Sequence, residues 1–242
     1  MKIPPLVYLA VAAPTVVCAQ TIYIDFGGTA TAAGADTWNP FSLSSTVRDS
    51  VGNGDGTPHV YTSDLLDSSG ASTGIGFTMT DTMSGTNNNG STDSGVYPSD
   101  ATSDSFYGTG DGISFSGFTD NGQGVFVFSN MSVGQTYNFT FYASRMGVSD
   151  NRETVYTLDG SNSGSVNLNP AGNIGNTVSL LGIEPTAGGD VTLTVSVGPN
   201  NTNGNEFYYV GGVEIVAVPE PGAYALLAGV LMLGLTIAYR RR

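Results

Sequence analysis

Short runs of alternating apolar and polar residues, each closed off by glycine, asparagine, aspartate or proline, constrain this chain more than any other feature. In Thr136-Tyr137-Asn138-Phe139-Thr140-Phe141-Tyr142-Ala143, the residues Tyr137, Phe139, Phe141 and Ala143 recur at period two, with Asn138 and Thr140 between them. A pleated backbone sends alternate side chains to opposite faces, so the first set is expected to face a core. Val191, Leu193, Val195 and Val197 alternate with Thr192, Thr194 and Ser196 in the same way. The same pattern predicts strands over 21–26, 74–80, 112–118, 124–129, 136–143, 154–158, 165–168, 177–183, 191–197 and 207–216. Residues 124–128 are apolar on both faces and belong in the middle of a sheet, whereas Tyr208 and Tyr209 fall on opposite faces of the last strand, placing one of them in the core. No helical periodicity of useful length precedes residue 218. The expected fold is therefore all-β: a single antiparallel β-sandwich, or jelly roll, followed by one C-terminal transmembrane helix. The polar stretch 84–104 contains no convincing strand, and a loop of that length is usually functional or mobile.

The two ends read differently from the middle. Met1-Lys2, an apolar stretch over 6–17 and the small residues around Ala19 have the layout of a signal peptide over 1–19. Its removal would take away Cys18, the one cysteine, and leave no thiol chemistry. At the other end, Pro219-Glu220-Pro221 precedes an uncharged apolar run over 222–239 and then Arg240, Arg241 and Arg242. At about 1.5 Å per residue that run covers roughly 27 Å, enough to cross a bilayer. The terminal arginines are expected on the cytoplasmic side, with everything before Pro219 across the membrane.

This tail, covering 218–242, resembles the PEP-CTERM sorting signal of Gram-negative bacteria with extracellular polysaccharide. The resemblance implies an exosortase-type membrane protease as partner, processing near Pro219, Glu220 and Pro221, and a final place at the cell surface or in the extracellular matrix. An inner-membrane-anchored intermediate would precede it.

Between the ends, residues 20–217 carry three arginines, Arg48, Arg145 and Arg152, and no lysine, against 19 acids, a net charge of −16. Such a surface repels nucleic acid, which excludes DNA and RNA as partners, and favours divalent cations. A serine triad needs a histidine base, and His59 is the sole histidine, without a Gly-x-Ser-x-Gly elbow to serve. Zinc catalysis lacks its imidazoles and thiolates. Paired carboxylates are available for a glycoside hydrolase or lyase, but Asp in turns is equally what an acidic β protein needs, so no catalytic residue is assigned and a non-enzymatic protein is expected. Asn53-Gly54-Asp55-Gly56 and Gly110-Asp111-Gly112 leave a structural calcium open without matching a known loop. No other cofactor is expected.

Two features suggest ligand binding. Arg145, Asp150, Asn151, Arg152 and Glu153 concentrate two of the three cations between two predicted strands, as a hairpin loop. They could hold a sugar, or equally form an ion-pair network that fixes the loop. Trp38, the sole tryptophan, sits in a segment too polar for a strand and reads either as a sugar-stacking platform or as a core plug.

The strand Ile22-Tyr23-Ile24-Asp25-Phe26-Gly27, the Tyr97-Pro98-Ser99-Asp100-Ala101 loop, the hairpin expected over 141–158 and the closing aromatic strand together resemble galactose-binding-like jelly rolls. That resemblance covers roughly 21–216 and implies adjacent first and last strands, with sugar bound by loops at one end of the sandwich. The combined expectation is an exported, non-catalytic protein that associates with extracellular polysaccharide. The alternatives are a structural or adhesive matrix protein without a pocket, or a carbohydrate-active enzyme.

Overall fold

The period-two runs do become strands, and the computed structural model describes them over residues 19–27 and 36–218. In chain order they are β1 (Thr21–Phe26), β2 (Trp38–Phe41), helix α1 (Ser45–Val51), β3 (His59–Thr62), β4 (Gly76–Asp81) and β5 (Gly85–Asn87). Helix α2 (Ser99–Thr102) precedes β6 (Ser105–Gly108), β7 (Ser114–Phe115), β8 (Phe118–Thr119), β9 (Gln123–Ser129) and β10 (Thr136–Tyr142). The rest are β11 (Thr154–Asp159), β12 (Ser163–Leu168), β13 (Val178–Ile183), β14 (Val191–Val197), β15 (Tyr208–Val210) and β16 (Gly212–Val218). The expected signal peptide apart from Ala19, the sorting residues Pro219, Glu220 and Pro221, the apolar run 222–239 and Arg240, Arg241 and Arg242 lie outside the described residues. Among the described residues, no helix is long and apolar enough to cross a membrane.

Two sheets make a β-sandwich. One runs β13-β10-β16-β1-β2 and the other β12-β11-β14-β9-β4-β3. All neighbours are antiparallel except β1 and β2. β1 pairs with β16, so the first and last strands are adjacent as expected. β9 lies between β14 and β4, the central place its two apolar faces require. The inward residues interlock as a chain of rings crossing from sheet to sheet. Phe26 meets Phe126 at 5.2 Å and Phe77 at 5.7 Å, Phe128 meets Phe139 at 5.6 Å, and Phe141 stacks on Tyr156 at 4.5 Å. All seven rings are fully buried, and offset or edge-on contacts of this kind add about 0.5–1.5 kcal/mol per pair to their burial.

Four expectations need correction. The segment 112–118 is no single strand, because Ser116 and Gly117 both take positive φ, 50° and 80°, the backbone of a two-residue hairpin turn between β7 and β8. The stretch 84–104 contains β5 and α2, and its second half lies over the outer face of the five-stranded sheet. There Tyr97 donates to Glu214 at 2.9 Å and packs edge-on against Trp38 at 5.3 Å. Residues 207–216 break at Gly211. The Gly211 N–H donates to the Tyr142 carbonyl while its own carbonyl accepts from Phe26, and a Cβ there would stand 3.1 Å from the Tyr142 oxygen. The break releases β15 into a separate sheet ordered β15-β6-β5. Both Tyr208 and Tyr209 are buried as a result.

The fourth correction concerns 141–158, which is not a hairpin. β10 has both edges occupied, by β13 and β16, and β11 has both occupied, by β12 and β14. The link between them therefore crosses from one sheet to the other and carries Arg145 and Arg152 over the end of the sandwich.

Candidate functional site

The crossing link and the small β15-β6-β5 sheet together enclose a pocket of about 360 Å³. From β5 and the residues after it come Thr86, Asn87, Asn88 and Asn89; from β6, Tyr107; from β7, Phe115; from β15 and the residue before it, Tyr209 and Phe207. The link adds Arg145 and Arg152. The aromatic wall is held edge to face: Tyr107 and Phe207 at 5.6 Å, Phe115 and Phe207 at 4.9 Å, Tyr107 and Phe115 at 6.0 Å. Phe115 remains 38 % exposed and forms the rim, whereas Phe207 and Tyr209 are buried.

Arg152 is fixed from several sides. Its Nε donates to Asp150 Oδ2 at 3.1 Å, its Nη1 donates to the Tyr209 hydroxyl, and its guanidinium carbon lies 5.1 Å from the Phe207 ring centre. Its backbone N–H donates to Asn169 Oδ1 at 3.1 Å. Burial raises the Tyr209 phenol above its ordinary pKa despite both nearby arginines, so it stays neutral at neutral pH. Arg145 is positioned by its backbone, which donates to Pro170 and accepts from Gly172, and its Nη1 donates to the Met146 carbonyl at 2.8 Å. Asn87 braces the opposite wall, donating to Ser105 Oγ at 3.1 Å and to the Ser144 carbonyl at 3.3 Å.

Of the residues expected to bind ligand, Arg145 and Arg152 line the pocket and the others do not. Asp150 pairs with Arg152 and accepts from the Asn203 amide, behind the lining. Asn151 donates its N–H to Thr202 Oγ1 at 3.1 Å and its carbonyl accepts from the Thr202 N–H at 2.8 Å, while Glu153 accepts from Asn200 at 3.0 Å, so both bind the loop around 198–203 to the link. The sequence reading missed the aromatic wall. Its only trace was the density of Phe106-Tyr107 and Phe207-Tyr208-Tyr209.

Trp38 lies away from the pocket. It lies on β2, which pairs parallel with the open edge of β1. The strand forms despite its polar sequence because the Asn39 side chain donates to the Tyr23 and Leu66 carbonyls and accepts from the Leu66 N–H, all at 2.9 Å. Trp38 stacks on Tyr23 at 4.8 Å on the outer face of the five-stranded sheet and is absent from the pocket lining. Trp38→Ala is expected to cost about 3 kcal/mol of stability by emptying that stack. Chemical denaturation of the full chain should show the loss, with ligand affinity of the folded protein unchanged.

His59 lies on the edge strand β3, edge-on to Tyr61 at 4.6 Å. Among the described residues, no group of three or more His, Cys, Asp or Glu side chains converges to hold a metal. In the two Asp-Gly turns, Asn53 donates to the Thr119 carbonyl at 3.1 Å, and Gly112 takes a φ of 72°, a turn conformation that glycine favours.

No protein-family model and no curated protein matches this chain. Solved structures similar to it include the ANX2 ectodomain from Arabidopsis thaliana, at 14 % identity and a TM-score of 0.45, covering 84 % of this chain and 50 % of that one. A chain from the complex of the plant peptide RALF23 with FER and LLG2 gives 14 % identity and a TM-score of 0.46, covering 84 % and 49 %. TmCBM61 in complex with β-1,4-galactotriose gives 13 % identity and a TM-score of 0.25, covering 48 % and 67 %. This chain therefore spans about half the length of the first two. All three TM-scores lie below 0.5, so the functional reading rests on the pocket instead.

Proposed function

We propose that this protein is exported to the cell surface, associates non-catalytically with extracellular polysaccharide, and binds it in the pocket of Arg145, Arg152, Phe207 and Tyr209. The observation that carries this reading is the combination of an aromatic wall with amide and guanidinium donors in one cavity. Pyranose rings need both an apolar face to lie on and polar groups at their hydroxyls. The described lining holds no Asp, Glu or His, and the proposal assigns the pocket no catalytic residue. The C-terminal segment 218–242 supplies the second half of the proposal, delivery through an exosortase-type protease in a Gram-negative bacterium. Co-expression with such a protease is expected to shorten the chain near Pro219 to Pro221, and mass spectrometry would reveal the cut.

A polysaccharide and glycan-array pull-down of the full chain, with and without calcium, tests the binding half. Saturable retention that is lost in Phe207→Ala is the expected result. If no glycan is retained, the matrix-protein alternative takes its place.

A further inference from the structure

Resting on the carbohydrate reading, we infer that the pocket selects an acidic sugar, a hexuronate residue of an anionic polysaccharide, and that Arg145 is the residue that selects it. The 19 acids of residues 20–217 contribute nothing to the described pocket lining, while two of the three arginines do. The two ion pairs among the described residues are Arg48 with Asp49 and Arg152 with Asp150. Arg145 thus has no carboxylate within ion-pair distance in a domain crowded with them. A guanidinium only donates hydrogen bonds, and its planar fork matches the two oxygens of a carboxylate far better than a hydroxyl pair.

Neutral sugars call for the opposite equipment, because their hydroxyl hydrogens need acceptors. The strongest acceptors, carboxylates, are missing from this lining. The overall charge of −16 does not reverse the preference. Distant surface acids are screened beyond about 8 Å at physiological salt, whereas a bound carboxylate would touch the guanidinium directly. Arg145 gives its Nη1 to the Met146 carbonyl and also reaches Tyr209, both neutral partners, whereas Arg152 commits its Nη1 to Tyr209 and its Nε to a carboxylate, Asp150. Its part is to hold the wall, and recognition of the anion falls to Arg145.

The test is isothermal titration of the full chain with a galacturonic acid trimer, its neutral methyl ester, and a sulfated galactose oligomer. The acid is expected to bind at least about 10-fold more tightly than the ester, with the difference shrinking as salt rises. Arg145→Gln should erase the difference while leaving thermal unfolding unchanged, and Arg145→Lys should restore only part of it. Equal affinity for acid and ester would overturn the inference while the carbohydrate reading stands. Binding of the sulfated oligomer alone would overturn the carboxylate class. Full acid preference in Arg145→Gln would overturn the location, and failure of every glycan, neutral ones included, would remove the carbohydrate reading itself.

Discussion

Asp25→Asn is expected to be more stable than the parent at pH 8 and above, by a margin that shrinks as the pH falls towards 4. Asp25 lies on β1 and is fully buried on the outer face of the five-stranded sheet, under the segment that carries Asp100 and Asp104. Among the described residues no N–H or hydroxyl donor reaches its carboxylate oxygens, and the Asp104 carboxyl lies within hydrogen-bonding reach. Burial, and then the charges of Asp104 and Asp100, push its pKa from 3.8 up to about 8. Between those values the folded chain binds a proton that the unfolded chain has released, so every rise in pH through that window favours unfolding. Above pH 8 the full cost is on the order of 5 kcal/mol. Asparagine keeps the shape, carries no charge and can donate to Asp104. Urea unfolding of both proteins from pH 4 to 9 should show a falling parent curve and a flatter variant curve. A variant less stable than the parent at pH 9 would mean that Asp25 is held in its charged form.

Arg152→Ala is expected to cost about 3 kcal/mol of stability and to abolish ligand binding together. Arg152 is 8 % exposed, and removing it takes the cation from Asp150, one donor from the Tyr209 hydroxyl and a cation from the Phe207 ring. Breaking a buried pair by deleting one partner costs about 3–5 kcal/mol. The lower figure applies because the Asp150 side chain is 30 % exposed and keeps the Asn203 amide. For a chain of this size, that corresponds to a drop of roughly 6–12 °C in Tm. Arg152→Lys should recover little, since an ammonium cannot reach Asp150 and Tyr209 with a planar fork. A Tm within 2 °C of the parent, by calorimetry at about pH 7, would show that the pair contributes no more than a surface salt bridge.

The strands and the pocket lining show what the sequence could and could not disclose. Wherever a strand is defined by its own alternation, as in β1, β10 and β14, local periodicity was enough to find it. β2 was missed because its strand character comes from a partner edge and from the Asn39 amide, neither of which is local. The break at Gly211 was missed because only the approach of the Tyr142 carbonyl makes a glycine necessary there. At the site, the rarity of cations in an acidic chain singled out Arg145 and Arg152 without any structure. The aromatic half draws on β6, β7 and β15, which meet through long-range pairing that no window of sequence contains. Trp38 stayed open for the same reason: a tryptophan amid polar residues reads alike whether it faces a ligand or stacks beneath a covering segment.

The most direct measurement of the pocket's role is an NMR titration of the isotope-labelled full chain with a galacturonic acid trimer. The Nε–Hε signals of Arg48, Arg145 and Arg152 and the backbone amides of 86–89 and 207–209 would be followed. Saturable shifts confined to Arg145, Arg152 and those amides, with Arg48 and the surroundings of Trp38 unmoved, are the predicted result. Shifts centred on Trp38, Tyr97 and the outer sheet face, or no shifts at all, would contradict it.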